Sequence, residues 1–147
     1  IYNSGKTIAP IGFCPSELLF FGGGVVLKIL VVGHDAEITA LTGKILERSG
    51  YEALCCSCAA DVQALISCGG FRLIIAELED DEAERIRFCK TVKNAVRPPK
   101  LLLIGRSGEE EISMLNAGAD DWIKKPYKTE VFLARISALL RQCEAIV

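Results

Sequence analysis

The sequence is poor in several of the residues that mark specialised proteins. It holds one histidine, one tryptophan and one methionine. Charge is close to balanced, with 17 basic and 19 acidic side chains for a net −2 and a pI of about 5.5. Such a balance leaves no electrostatic footprint for nucleic acid. No apolar run approaches the roughly 18 residues needed to cross a bilayer, so no membrane partner is expected. The chain begins at Ile1 without a basic-then-apolar leader, so a signal peptide is not expected and a cytoplasmic location is.

Cysteine is the exception, with seven residues: Cys14, Cys55, Cys56, Cys58, Cys68, Cys89 and Cys143. The number is odd, and no second ligand pair follows Cys55, Cys56 and Cys58. His34 is the only imidazole, so no zinc pattern is met. The main reading is reduced, mostly buried thiols of a cytosolic protein. A soft-metal or redox role for the cluster at 55–58 stays open beside it.

What is present is a packed globule of one domain: 147 residues, 50% hydrophobic and 24% charged. From Lys28 onward, short apolar runs alternate with amphipathic stretches. The runs are Ile29–Val32, Ala53–Cys56, Leu73–Ala76, Leu101–Ile104 and Trp122–Ile123. Most are continuous, as in strands buried on both faces of a parallel sheet. Ile38, Leu41, Ile45 and Leu46 form one helical stripe, and Phe132, Ile136, Leu139 and Leu140 another. Asp35 is placed to cap the first helix. Asp81 with Glu84, and Ser107 with Glu110, read as capping boxes. Gly50, Gly69, Gly70 and Gly118 stand where helices should stop, and Pro98-Pro99 separates the third helix from the fourth strand.

These signals predict an α/β fold: a doubly wound, flavodoxin-like sheet of five parallel strands in the order 2-1-3-4-5, with helices on both faces. Residues 1–25 fall outside the pattern and are read as an N-terminal extension or linker; residues 26–147 form the domain. The apolar run Leu18–Phe21 is expected to be buried somewhere. Ligands in such sheets bind at the carboxyl ends of the strands. Those ends carry Gly33 and His34, Glu77, Ile104 and Lys125.

Five stretches carry a family resemblance: KILVVGHD at 28–35, FRLIIAEL at 71–78, PKLLLIG at 99–105, AGADDWIKKPY at 117–127 and LARISALLR at 133–141. The fourth is the most specific. Together they resemble a response-regulator receiver domain, most closely of the OmpR/PhoB class. The resemblance implies a Mg²⁺ site built from two adjacent acids and an Asp that accepts a phosphoryl group, since a hard dication needs several oxygen ligands. The acid pair falls on Gly33 and His34, which offer no carboxylate, so Mg²⁺ binding is expected to be lost and no cofactor remains. The acceptor position falls on Glu77, the hydroxyl position on Ile104, the switch aromatic on Trp122 and the lysine position on Lys125. Asp35 is expected to cap a helix and point away. Glu77 with Lys125 reads either as a standing imitation of a phosphorylated Asp or as a plain salt bridge. The acids of 77–84 invite a metal reading, but acids in a first helical turn are favourable anyway.

The resemblance also implies a homodimer surface on the fourth helix, fifth strand and fifth helix. Asp121 and Arg135 match positions that pair across it, and Asp120 and Arg141 lie on the same face. Glu111 and Val131 depart from a second usual pair. The reading is a non-enzymatic pseudo-receiver of two-component signalling, regulating an attached transcription-factor output domain through dimerisation. A histidine kinase is a possible partner. DNA is reached only through an output domain following Val147. Two alternatives stand: a ligand- or redox-sensing receiver-like module, and a working phosphotransfer receiver with an unusual acceptor.

Overall fold

The computed structural model describes residues 2–3, 6–7, 20–21, 24–25, 27–57, 61–68, 70–78 and 81–144. Four short strands come first: β1 (Tyr2–Asn3), β2 (Lys6–Thr7), β3 (Phe20–Phe21) and β4 (Gly24–Val25). The alternating part follows as β5 (Lys28–Gly33), α1 (Ala36–Arg48), β6 (Glu52–Cys56), α2 (Val62–Cys68), β7 (Phe71–Glu77), α3 (Glu82–Lys93), β8 (Lys100–Gly105), α4 (Gly108–Ala117), β9 (Asp121–Lys124) and α5 (Thr129–Glu144).

The five parallel strands stand in the order β6-β5-β7-β8-β9, the expected 2-1-3-4-5 arrangement. The sheet is wider than five strands, however. Tyr2 of β1 pairs antiparallel with Cys55 on the β6 edge, and β2 pairs with β1. Part of the first 25 residues therefore extends the sheet. The burial expected for Leu18–Phe21 falls outside the described residues, as do Cys14, Cys58, Gly69 and the side chain of Cys143.

Strand alternation divides the core in two. Leu30, Val32, Ile74, Ala76, Leu101 and Leu103 pack with Val62, Phe88, Val92 and Met114 of α2, α3 and α4. Ile29, Val31, Leu73, Ile75, Leu102 and Ile104 pack with Leu46 of α1 and with the α5 stripe. All four residues of that stripe are buried, as the 3.6-residue period predicts. The α1 stripe is rotated from its predicted face. Ile38 and Leu41 are exposed at 43% and 60%, and Thr39, Thr42, Gly43 and Leu46 face inward. The threonine hydroxyls donate to the carbonyls of Asp35 and Ile38 at 2.7 and 2.9 Å, so their burial leaves no orphan donor.

The caps read at Asp35 and Asp81 are formed. Asp35 accepts from the N–H groups of Glu37 and Ile38, and Asp81 from those of Ala83 and Glu84. Gly118 ends α4 with φ of +121°, a conformation that favours glycine. Cys55, Cys56 and Cys89 are buried thiols. Burial pushes the Cys89 thiol up to about 11, which keeps it protonated and unreactive near neutrality.

Candidate functional site

Sheet register brings the strand ends together. Gly33 lies opposite Glu77, Glu77 opposite Ile104, and Gly105 opposite Lys124. The Lys125 N–H donates to the Gly105 carbonyl at 2.8 Å, so Lys125 is set beside the row. Its ammonium contacts the Glu77 carboxylate directly, with both side chains mostly shielded from solvent. The pair expected from the sequence is therefore formed. Tyr127 stacks on Phe132 at a centroid distance of 5.2 Å. Burial, and then the nearby Glu77 charge, raise its phenol above the usual range.

Gly33 is enclosed. A Cβ built there would lie 2.6 Å from Thr39 Oγ1, well inside van der Waals contact. The hydroxyl is held in place by its bond to the Asp35 carbonyl. His34 is exposed beside it, and Asp35 commits its carboxylate to the α1 cap, as expected. The residues present do not fit Mg²⁺. Gly33 has no side-chain ligand, His34 offers nitrogen, and the Glu77 carboxylate is held by an ammonium group.

The neighbouring acids are accounted for separately. Asp81 caps α3, Glu82 accepts from Ser113 Oγ at 2.6 Å, and Glu84 pairs with Arg87 at 2.7 Å. Glu79 and Asp80 lie outside the described residues. Among the described residues no three His, Cys, Asp or Glu side chains converge as a metal site.

On the opposite sheet face, Trp122 is buried at 7% exposure among α3 and α4 residues. Its indole lies over Gly105: a Cβ there would sit 2.6 Å from Nε1 and 2.8 Å from Cζ2. Glu110 Oε2 would be 2.5 Å from the same point, and that oxygen accepts from the Arg106 N–H at 3.3 Å. Ile104, by contrast, packs toward α1 and α5. The hydroxyl-equivalent and aromatic-equivalent residues thus lie on opposite faces of the sheet, with Gly105 between them. Sequence reasoning passed over Gly105 and Thr39, although a glycine inside a strand is itself a sign of close approach.

The charged face sorts differently from its sequence reading. Asp120 accepts from the Leu101 N–H at 2.8 Å and contacts Lys93, with Lys100 at 3.8 Å. It ties α3 and the start of β8 to the loop before β9. Asp121 and Arg135 form a forked pair within the chain, Arg135 Nη1 lying 3.1 and 3.0 Å from the two carboxylate oxygens. Arg141 is exposed on α5.

A cleft of about 300 Å³ opens at this end of the sheet. Leu78, Ile104 and Gly105 give it apolar and backbone surface, and Arg85 and Arg106 line it together with His34. Glu77 and Glu110 complete the wall. Among the described residues no helix is long and apolar enough to cross a membrane.

No family model matches the chain. It is 34% identical over 116 residues to protein PetR of Rhodobacter capsulatus, covering 78% of this chain and 48% of that protein. It is 28% identical over 116 residues to the transcriptional regulatory protein CpxR of Klebsiella pneumoniae, covering 78% and 50%. The chain thus spans about half the length of these curated relatives. A response-regulator receiver domain protein from Clostridium thermocellum has the same fold, with a TM-score of 0.74 over 83% of this chain and all of that one, at 17% identity. Sequence similarity to regulators of this kind, joined to the strand order, supports a response-regulator receiver domain.

Proposed function

We propose that this is an atypical receiver, a signalling module that works without accepting phosphate. The observation that carries the reading is the packing at Gly33. The first acid position is filled from the side by Thr39 Oγ1, so the place where a metal-binding carboxylate would project is occupied by a hydroxyl. The contact of Glu77 with Lys125 supports the same reading, because the lysine already has a resident anion. The domain then acts as a cytoplasmic protein-interaction module in two-component signalling, with a histidine kinase as its possible partner. It is no enzyme and needs no Mg²⁺. Residues 26–147 form the receiver and residues 1–25 an extension. An output domain that binds DNA is expected in the full protein, a view supported by the length of the relatives and by the printed description of CpxR as a transcriptional regulator.

The test is intact mass after incubation with Mg²⁺ and a small-molecule phosphodonor. No added phosphoryl group is expected. A Mg²⁺-dependent mass gain would overturn the proposal and make the protein an ordinary phospho-switch with an unusual acceptor.

Dimerisation through α4, β9 and α5 is the proposed output. Ile112, Leu115 and Val131 are exposed apolar residues on these helices, at 69%, 41% and 43%, and Asp121 and Arg135 can exchange their partners between two copies. Asp121→Arg is expected to dissociate the dimer, and adding Arg135→Asp to restore it. Both variants should stay folded, since a pair this exposed contributes about 0–1 kcal/mol. Unchanged sedimentation for both would remove dimerisation from the proposal.

A further inference from the structure

We propose that the β6 edge of the sheet is a strand-pairing surface for a second copy of this chain, kept covered by the N-terminal β1–β2 hairpin. It stands apart from the dimer on α4, β9 and α5, which uses the other end of the sheet. An open strand edge is a template for pairing with another chain unless something guards it. The β9 edge is guarded by its own sequence. It is four residues long, begins with Asp121, ends with Lys124 and is followed by Lys125 and Pro126. β6 has no such guard. Its residues Ala53, Leu54, Cys55 and Cys56 are uncharged and buried, and they pack into the cores on both faces of the sheet.

Backbone alternation shows which groups this edge presents. The Glu52 N–H donates to the Leu27 carbonyl, on the β5 side, at 3.0 Å. Successive residues of a strand turn their N–H and C=O groups to opposite sides, so those of Ala53 and Cys55 face outward. Tyr2 pairs with Cys55 from that side. Among the described residues this is the only register pair between β1 and β6, so the cover is short. β2 becomes the outer strand. It has two residues, one of them Lys6, a charge of the kind that blunts an edge. The hairpin thus replaces an unguarded edge with a guarded one, at the cost of a small contact.

A second β6 fits this edge. Run antiparallel about a two-fold axis at Leu54, it sets Ala53 opposite Cys55 of the other copy, and Cys55 opposite its Ala53. Each outward N–H and carbonyl of these residues, in both copies, then has a partner. Glu52 stands opposite Cys56, so no like charges face each other. Such a contact is isologous and closes at two copies. The axis is normal to the sheet, so the two α1 helices stand on the same side of the seam. α1 packs on β6, with Cys55 Sγ donating to the Thr39 carbonyl at 3.5 Å. It also carries the exposed Ile38 and Leu41, apolar surface for burial beyond the backbone bonds.

The experiment uses the full chain carrying Asp121→Arg, which is expected to remove the α4–β9–α5 dimer, with and without Tyr2→Pro. Proline takes away the Tyr2 N–H that faces Cys55 and changes no residue of the domain core. Sedimentation equilibrium reads self-association. Hydrogen exchange at low and high protein concentration reads the Ala53 and Cys55 amides. Tyr2→Pro is expected to strengthen association at least roughly tenfold, because each copy is relieved of a competing hydrogen bond before it can pair. The two amides should gain protection as concentration rises. If Tyr2→Pro fails to fold, Asn3→Pro takes its place, losing the pairing of β1 with Lys6 instead, and should act in the same direction. Association no stronger than in the parent overturns the proposal. So does stronger association in which protection of these amides is independent of concentration. A dimer persisting through α4, β9 and α5 leaves the β6 amides unchanged, so the two interfaces are read separately.

Discussion

Gly105→Ala is expected to destabilise the domain by about 1–3 kcal/mol, the usual range for overpacking a filled core, and to shift the emission of Trp122. The added methyl group would lie 2.6 Å from the indole Nε1, 2.8 Å from Cζ2 and 2.5 Å from Glu110 Oε2. The carboxylate is the end of a flexible side chain and can swing away. The indole cannot, because it is wedged in the core at 7% exposure. Either Trp122 leaves its seat or β8 is pushed from β9, and both outcomes cost packing. The φ of Gly105 is not in the left-handed region, so alanine there meets a steric objection alone. Gly108 is the matched control. It opens α4, and a Cβ built on it meets nothing within 4 Å. Gly108→Ala should therefore be neutral or stabilising, by up to about 1 kcal/mol through reduced freedom of the unfolded chain. Urea denaturation followed by tryptophan fluorescence measures both variants. Equal stability of the two would mean that the Trp122 seat is soft.

The strand ends could be read from the sequence because buried parallel strands announce themselves. Runs such as Ile29–Val32 and Leu101–Ile104 are apolar on both faces and buried along their whole length. The α5 stripe was equally legible, since Phe132, Ile136, Leu139 and Leu140 have no polar rivals on their face. The α1 face was not, because hydropathy ranks Ile38 and Leu41 above Thr39 and Thr42. The small threonines fit closely against the sheet and satisfy their hydroxyls on the preceding turn, so the bulkier residues are turned outward. Asp120 illustrates a second limit. Its acidic neighbour Asp121 does reach Arg135. The carboxylate of Asp120 instead meets the Leu101 N–H and the Lys93 ammonium, partners 19 and 27 residues away in sequence. Periodicity carries no information about such distant pairing. The Thr39–Gly33 contact is local in sequence yet no more legible: its two halves are ordinary residues, and only the register of α1 on β5 makes them meet.

That contact sets the second large expectation. A variant with Gly33→Asp, His34→Asp and Glu77→Asp carries the full set of carboxylates that a receiver uses, yet it is expected to be about 1–3 kcal/mol less stable and to gain no phosphate. The first substitution drives a Cβ to 2.6 Å from Thr39 Oγ1, so either α1 moves off the sheet or the new side chain is deflected from the metal position. Adding Thr39→Ala removes the obstructing oxygen. The lost hydroxyl bond to the Asp35 carbonyl is a bond back along its own helix, which contributes little to helix stability. The fourfold variant should thus recover most of the lost stability. Three carboxylates converging on one spot repel until a cation joins them, so its melting temperature should rise with Mg²⁺ as ligand linkage requires, while that of the natural chain should not. Phosphodonor treatment should then add mass to the fourfold variant alone. If the threefold variant is as stable as the natural chain and takes phosphate, Thr39 is no barrier, and loss of the acids rather than repacking of α1 is the whole difference from a working site. If the fourfold variant regains stability without a Mg²⁺ response, the obstruction extends beyond Thr39, and the Lys125 contact that holds the side chain at position 77 is the next group to release.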